Sequence, residues 1–184
     1  MIELRGPRVT MRAFRPEEIE PALAKIASSS AMVEGDPAKE TDRRSRLERS
    51  GTRTEWEVLL AIEADGRLLG DAQARCSDQA MPPGVWEIGI ELYEAEDRGR
   101  GIGREAVALL TSHLFSEQGA HRVQATTDLD NPGMRRVLEA LGFATEGTLR
   151  SFMPAADAPA RDYAMYAMTK DDWTREGRRW IPTS

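Results

Sequence analysis

Val-Trp-Glu-Ile-Gly-Ile-Glu-Leu at residues 85–92, followed after a charged turn by Arg-Gly-Arg-Gly-Ile-Gly at residues 98–103, is the stretch that decides the fold. Apolar residues alternate with Glu or Gly along 85–92, which is the pattern of a half-buried β-strand. After Gly101 the apolar spacing changes to that of one helical face, made by Ala106, Val107, Leu109, Leu110 and Leu114. The glycines therefore lie between a strand and the start of a helix.

This position favours an anionic ligand. The first turn of a helix leaves backbone N–H groups unpaired and carries the positive end of the helix dipole. Glycine removes the Cβ atoms that would keep a ligand away from those donors, and Arg98, Arg100 and Arg104 add positive charge. A phosphate or pyrophosphate is the natural occupant. The alternative is a glycine-rich connector with solvated arginines.

The spacing of the glycines can be compared with two known phosphate-binding motifs. A Walker loop is excluded because no Lys follows these glycines. Gly101–Ala106 fits the G-x-G-x-x-A dinucleotide fingerprint, but His121 and Arg122 stand where that fold needs an acidic residue. Nucleotide binding stays open here as a weaker hypothesis, which predicts that NAD stabilises the protein.

Three motifs resemble one known family. Arg98-x-x-Gly101-x-Gly103 resembles the R/Q-x-x-G-x-G/A acetyl-CoA loop of the GNAT N-acetyltransferases. The run Asn131–Phe143, continued by Glu146-Gly147, is similar to the N-x-x-S/M-x-R-V-L-E-x-L-G-F-x-x-E-G run of the RimJ/RimL-like branch. Arg161–Met168 followed by Asp172-Trp173 resembles the closing strand and the D/E-W end of that branch. The resemblance covers roughly residues 8–173.

The resemblance implies a fold and a cofactor. The fold class is α/β with a mixed (α+β) sheet: a central, mostly antiparallel sheet, flanked by helices and splayed between the central strand and the strand after it. Acetyl-CoA is the implied cofactor, and its pantetheine arm would enter that gap. The implied contacts are the backbone of the loop and the side chain of Asn131, with open strand backbone at Leu92 and Tyr93. The loop residues are Arg98, Gly99, Arg100, Gly101, Ile102, Gly103 and Arg104. A bulge near Tyr93 and Glu94 is also expected.

Acetyl transfer to an amine requires a base, because amines are mostly protonated at neutral pH. Glu87 is the candidate, directly or through a water, since it lies on the central strand on the face opposite Trp86. The alternative is a rim glutamate that pairs with an arginine. Glu91 on the same face and Glu146 are weaker candidates.

The residues at the positions that usually supply the general acid differ from the family pattern. Leu138 stands where many GNAT enzymes have Tyr, and Met134 where related enzymes have Ser. The proton donor to the leaving thiolate is then water or a residue that the sequence does not identify. Tyr163 and Tyr166 are candidates for that role, although packing in the sheet is the favoured expectation for both. This departure motivates an alternative function, a non-catalytic acyl-CoA-binding module.

Length and composition limit the number of domains, the binding partners and the location that the sequence allows. The 184 residues predict one domain, 1–184, with a loose tail at 174–184. A net charge of −6 argues against nucleic-acid binding, and neither a signal peptide nor a membrane span is predicted, so a cytoplasmic location is expected. Cys76 is the single cysteine, and His113 and His121 lack neighbours at ligand spacing, so no metal site is predicted.

The other elements follow from local signals. Strands are predicted at 7–12, 56–62, 68–74, 121–127, 143–152 and 162–169, with a hairpin at Asp65-Gly66. Helices are predicted from Pro16, over 39–50 and from Asn131 to Gly142, while 28–30 and 35–37 break the chain. The helix over 39–50 is polar and rich in arginine, so a solvated surface helix is one interpretation of it. By the resemblance, residues 28–54 line the acceptor site.

The sequence therefore predicts an acetyl-CoA-dependent N-acetyltransferase. The acetyl group would move to a primary amine by direct attack in a ternary complex. A protein N-terminus and a small amine are both open as acceptors. Many relatives dimerise, so the resemblance also allows a homodimer.

Overall fold

The computed structural model describes residues 1–29, 37–76, 81–155 and 158–175, and its centre is a mixed β-sheet. The strands are Leu4–Arg5 (β1), Thr10–Arg12 (β2), Glu57–Ala64 (β3), Arg67–Arg75 (β4), Val85–Leu92 (β5), Arg122–Asp128 (β6), Ala144–Met153 (β7) and Arg161–Thr169 (β8). The helices are Ile19–Ser29 (α1), Pro37–Glu48 (α2), Ile102–Glu117 (α3), Pro132–Ala140 (α4) and Lys170–Arg175 (α5). Short 3-10 turns lie at Pro16–Glu18 and Ala95–Asp97.

The sheet has the order β1-β2-β3-β4-β5-β6-β8-β7. β5 and β6 pair in parallel, and the neighbouring pairs on either side are antiparallel. This arrangement confirms the predicted mixed, mostly antiparallel sheet. It also shows that the dinucleotide hypothesis is wrong, because that fold needs a parallel sheet built from two similar halves.

β5 and β6 share only a short ladder. Val85, Trp86 and Glu87 pair with Arg122, Val123 and Gln124, and the described residues show no pairing between the two strands beyond these. β5 nevertheless continues to Leu92 and β6 to Asp128, each paired with its outer neighbour. The two strands therefore separate, which is the gap expected at this place.

Two apolar layers cover the sheet. On one face, α3 and α4 pack on residues that include Trp86 and Val123, both almost fully buried. On the other face, α1 and α2 contribute Leu23 and Leu47 to a second, smaller cluster. The alternation predicted for β5 is confirmed, because Trp86 and Ile88 are buried while Glu87 and Glu91 lie half-exposed on the opposite face. Among the described residues, no helix has both the length and the apolar character needed to cross a bilayer.

Several local signals acted as predicted. Asp65 and Gly66 have φ values of 51° and 72°, as the predicted hairpin turn requires. Asn131 Oδ1 accepts the N–H of Met134 at 3.0 Å and caps α4, with Pro132 in the first turn. The predicted helix over 39–50 is present as α2, shifted by two residues.

Other boundaries were wrong. The strand predicted at 7–12 is confined to β2, Thr10–Arg12, and β1 lies before the predicted span, because the Gly6 N–H donates to Val9 O and turns the chain between the two strands. The bulge expected near Tyr93 lies elsewhere: the β4–β5 register is continuous, and the extra residue is Leu69, between β3 and β4. The break predicted at 28–30 begins too early, because α1 continues through Ser29, and the break predicted at 35–37 lies mostly outside the described residues. α5 extends through Thr174 and Arg175, and residues 176–184 also lie outside the described part.

The outer edge of the sheet is irregular. β7 contacts β8 on one side, and its register shifts at Glu146 and again between Leu149 and Met153. Within the second shift Ser151 has φ 49°, a left-handed conformation that is uncommon outside glycine.

Glu105 joins the N-terminal segment to α3. Its Oε1 accepts the N–H groups of Arg8 and Val9, each at 2.9 Å, and its Oε2 accepts Arg8 Nε at 3.1 Å. The Glu105 side chain is 8% exposed. A Cβ at position 6 would collide with Glu105 Oε1, which explains the glycine there.

We expect Glu105→Ala to lower the free energy of unfolding by about 2 kcal/mol, because the part-buried N–H of Val9, the N–H of Arg8 and a guanidinium lose their acceptor. Glu105→Gln should cost less, since its amide oxygen can still accept both N–H groups. Denaturant unfolding measures both, with Glu117→Gln, an exposed change on the same helix, as control. Equal stability of all three variants would contradict this role.

Asp71 is a buried carboxyl in β4. It is 7% exposed, and its register partner across the β4–β5 ladder is Glu91. Burial, and then the negative charge of Glu91, raise its pKa from 3.8 to about 7, while Tyr93 and Arg46 act in the opposite direction. The folded protein therefore keeps a proton that the unfolded chain loses near pH 4.

This proton makes stability depend on pH. Between about pH 4 and about pH 7 the folded state binds more protons at Asp71, so the contribution of Asp71 to stability falls as pH rises and is constant above that window. This fall in the free energy of unfolding across the pH window is on the order of 4 kcal/mol, and Asp71→Asn should remove it, because the amide does not titrate. Chemical denaturation of both proteins across this pH range measures the effect. A stability difference that does not change with pH would contradict it.

Candidate functional site

The glycine-rich turn ends in the amino terminus of α3. Gly99 and Gly101 have φ values of 73° and 85°, in the left-handed region that favours glycine. Gly101 is the N-cap of α3, and no side chain of the described residues caps the helix at this position. The first N–H groups of α3 are therefore left without a side-chain acceptor at the N-cap.

The turn forms one end of a cavity of about 480 Å³. Ile90 and Leu92 of β5 line it on one side, and α4 lines it on the other with Met134 and Val137. The predicted residues Leu92, Arg98, Gly99, Gly101, Gly103, Arg104 and Asn131 all border this cavity. Arg100 and Ile102 belong to the turn, but Ile102 is buried in the core and Arg100 faces Asp97 at 3.1 Å.

Two further arginines lie next to this cavity, and the sequence motifs did not indicate them. Arg136 of α4 lines the cavity with an exposed side chain. Arg8 lies against the turn: its Nη1 donates to Arg100 O at 2.9 Å, and a Cβ at Gly101 would stand 2.8 Å from its Nη2. A sequence signal for Arg136 exists in retrospect, because it lies one turn after the Asn131 cap.

The backbone next to the gap is that of Leu92. Tyr93 N–H donates to Leu69 O at 3.0 Å, so Tyr93 already pairs with β4 and its N–H is not open as predicted. Alternate residues of a strand direct their backbone to opposite neighbours, so Ile90 and Leu92 face the gap. Leu92 O accepts Arg98 Nη2 at 3.2 Å.

Glu87 lies on the other face of the sheet, where the β5–β6 ladder ends. Its side chain is 27% exposed and lies 3.6 Å from Arg75 Nη2. Gln124 Nε2 donates to Glu87 Oε2 at 3.4 Å. Both contacts are long, so the arginine pairing considered from the sequence is present as a weak ion pair. Glu87 is thus held at the mouth of the gap while part of its carboxylate stays accessible.

The weaker base candidates are placed less favourably. Glu146 is exposed on β7 and pairs with Arg122, whose hydrogen bond lowers the Glu146 pKa. Glu91 is half-buried beside Asp71.

Side chains suited to act as an acid do not line the cavity from the expected positions. Leu138 is fully buried in the core, and Met134 lines the cavity with a thioether. Tyr166 is buried and donates to Glu139 at 2.8 Å, and Tyr163 packs against Phe152 with ring centroids 5.4 Å apart. The described residues contain no group of three or more His, Cys, Asp or Glu that could hold a metal ion.

The site has two chemically different parts, one on each face of the sheet. An anion-binding turn and an elongated cavity lie on the α3–α4 face, and a carboxylate lies on the opposite face at the same gap. A ligand with an anionic end and a long uncharged arm fits the first part. A second reactant can approach Glu87 from the other side.

The comparisons with known proteins agree with this geometry. Residues 8–144 match the family model described as the acetyltransferase (GNAT) domain. Probable N-acetyltransferase YjcK of Bacillus subtilis (strain 168) is 33% identical over 118 residues, which are 64% of this chain and 62% of that protein. The prophage-derived uncharacterized N-acetyltransferase YokL of the same organism is 24% identical over 173 residues, 91% of this chain and 93% of YokL.

A solved structure gives the same fold. Mycobacterium smegmatis RimJ, solved in complex with CoA-disulfide, superposes with a TM-score of 0.75 at 22% identity and covers 97% of this chain and 91% of its own. GNAT acetyltransferases use acetyl-CoA, and the cavity and turn described above fit that cofactor. With the family model matched over most of its length, this chain belongs to the GNAT acetyltransferases.

Proposed function

We propose that this acetyltransferase moves the acetyl group of acetyl-CoA to a primary amine by direct attack in a ternary complex. The observation that supports it best is the gap between β5 and β6, which opens beside Glu87 and joins the two faces of the sheet. An acetyl donor on one face and an amine on the other can meet there without a covalent enzyme intermediate.

The turn is proposed to hold the diphosphate of the cofactor. A Cβ built on Gly99 has no described atom of another part of the chain within 4 Å. A Cβ built on Gly103 would have one such neighbour, Leu92 Cδ1 at 3.9 Å. This open space beside unpaired N–H groups suits a diphosphate. Arg98, Arg100 and Arg104 would balance its charge, while Arg136 and Asn131 would contact it or the pantetheine arm. Leu92 would pair with the pantetheine amides in strand fashion.

Glu87 is proposed as the base. An α-amine with pKa about 8 is roughly one-tenth neutral at pH 7, and a lysine amine far less, so the acceptor must lose a proton before it attacks. The amine nitrogen then bonds to the thioester carbon, the C–S bond breaks, and the second amine proton leaves as the amide forms. With Leu138 and Met134 at the usual acid positions, water is the proposed proton donor to the thiolate.

The acceptor is proposed to be a protein N-terminus or a small amine. The resemblance of the sequence motifs to the RimJ/RimL-like branch supports the first, while the family as a whole supports both. A cytoplasmic location belongs to the same proposal, as does the possible homodimer.

We expect Gly103→Leu to weaken coenzyme A binding at least about 30-fold, because its side chain would fill the space over the first turn of α3. Gly103→Ala should have little effect, since its added methyl lies 3.9 Å from the nearest atom. Titration calorimetry with coenzyme A measures both, and thermal unfolding confirms that each variant folds. Unchanged affinity in the leucine variant would refute the placement of the diphosphate. Stabilisation by NAD in place of coenzyme A would also count against it.

We expect Glu87→Gln to lower kcat about 100-fold and to leave coenzyme A affinity unchanged, because general base catalysis is lost while the cofactor site is intact. A panel of amines with acetyl-CoA, read by thiol release, measures turnover. Glu55→Gln, an exposed change just before β3, is the control. Full activity of Glu87→Gln would exclude it as the base. A parent protein that binds coenzyme A but acetylates nothing would favour the non-catalytic module.

A further inference from the structure

Gln124 of β6 lies directly beside the proposed base. It is the register partner of Glu87 in the last rung of the β5–β6 ladder, and their neighbours Trp86 and Val123 point into the core on the opposite face. Gln124 Nε2 donates to Glu87 Oε2 at 3.4 Å and also approaches Met81 Sδ, at 3.7 Å. Gln124 therefore stands where the two strands begin to separate, next to the carboxylate at the mouth of the gap.

The orientation of the Gln124 amide is fixed by Arg122. Arg122 Nε donates to Gln124 Oε1 at 3.1 Å. A guanidinium offers only donors and a carboxylate offers only acceptors, so both contacts are favourable when the amide oxygen faces Arg122 and the amide nitrogen faces Glu87. The reverse orientation would set donor against donor on one side and acceptor against acceptor on the other. The two charged neighbours thus permit one orientation of the amide.

Arg122 is itself held by Glu146 of β7. Its Nη1 donates to Glu146 Oε1 at 2.8 Å, and its Nη2 donates to the second carboxylate oxygen. These hydrogen bonds raise the pKa of Arg122 and lower the pKa of Glu146, so both groups are charged at neutral pH. Glu146 is the extra residue at the β7 register shift between Thr145 and Gly147. The two-point contact limits rotation of the guanidinium and keeps its Nε directed at Gln124.

This series of contacts ends on one oxygen of Glu87. The terminal torsion of a glutamate side chain is broad, so a carboxylate without partners samples many orientations. Gln124 holds Oε2, and Arg75 Nη2 lies 3.6 Å from Oε1, so lone pairs on both oxygens remain for the proton of an amine or of a bridging water. The 3.4 Å contact is long, as hydrogen bonds of catalytic groups often are before the reactants bind.

We infer that Gln124 is a positioning residue for the proposed base, with its amide orientation fixed by Arg122 and with Glu146 as the anchor of Arg122. This inference rests on the proposed role of Glu87 and adds the side chains that orient its carboxylate. Gln124 acts through Glu87, so its contribution to turnover disappears when the Glu87 carboxylate is removed.

The test is a double-mutant cycle on Gln124 and Glu87. Its acceptor is the amine that the wild type acetylates fastest in a panel of n-alkylamines and alanine peptides with free N-termini. Gln124→Met keeps the length of the side chain but removes the donor. We expect it to lower kcat about 10-fold while KM for the amine and coenzyme A affinity stay within about twofold. In the Glu87→Gln background the same substitution should change kcat less than about twofold.

A second variant and a control complete the test. Arg122→Gln leaves Gln124 in place but removes the donor that fixes its amide, so we expect kcat to fall about threefold, and only when Glu87 is present. Gln118→Met, the same substitution at the C-cap of α3, should keep the wild-type kcat. Thermal unfolding and calorimetry with coenzyme A on every variant establish that the fold and the cofactor site are intact.

The outcomes separate this inference from the proposed function. An equal loss of kcat in both backgrounds overturns the inference, because Gln124 would then act independently of Glu87. Unchanged kcat in Gln124→Met overturns it too, as does a loss that weaker coenzyme A binding explains. Each of these results leaves Glu87 standing as the base. Full activity of Glu87→Gln alone removes the proposed base, and the inference falls with it.

Discussion

The three-residue ladder between β5 and β6 is the constraint on which the candidate site depends. Up to Glu87 and Gln124 the two strands pair directly, so the sheet has no opening between its two faces there. Past that point each strand, as far as the described part of the chain shows, is paired on its outer side alone. The gap therefore costs the backbone hydrogen bonds of one inner edge on each strand, and an extended ligand that pairs with Leu92 would restore part of them. The open backbone edge left by the gap is therefore also a place where an extended ligand can form hydrogen bonds.

Local signals explain why much of this could be predicted from sequence. The alternation in β5, the change of period after Gly101, the Asp65-Gly66 hairpin and the Asn131 cap each depend on residues close together in the chain. The position of the gap came from the family resemblance instead. Arg8 and Asp71 were missed, and the N–H of Tyr93 was wrongly expected to be open, because these features depend on register and on contacts between distant segments. Arg8, for example, reaches Gly101 only because Glu105 holds its backbone against α3.

The two faces of the sheet carry opposite electrostatic features. On the α3–α4 face, arginines and helix N–H groups surround a cavity that is otherwise lined by apolar residues. On the other face, Glu87, Glu91 and Asp71 stand on two adjacent strands, balanced only in part by Arg75 and Arg46. If the chain acetylates an amine as proposed, the anionic donor and the protonated amine would each be attracted to its own face of the sheet.

The irregular edge strand β7 has a consequence beyond this site. An edge with regular, flat geometry offers unpaired backbone groups to a strand of another molecule and can seed aggregation. The two register shifts of β7, together with the left-handed Ser151, interrupt that pattern within a single strand. An intruding strand would lose register after a few residues, so this side of the sheet is protected against uncontrolled edge-to-edge association.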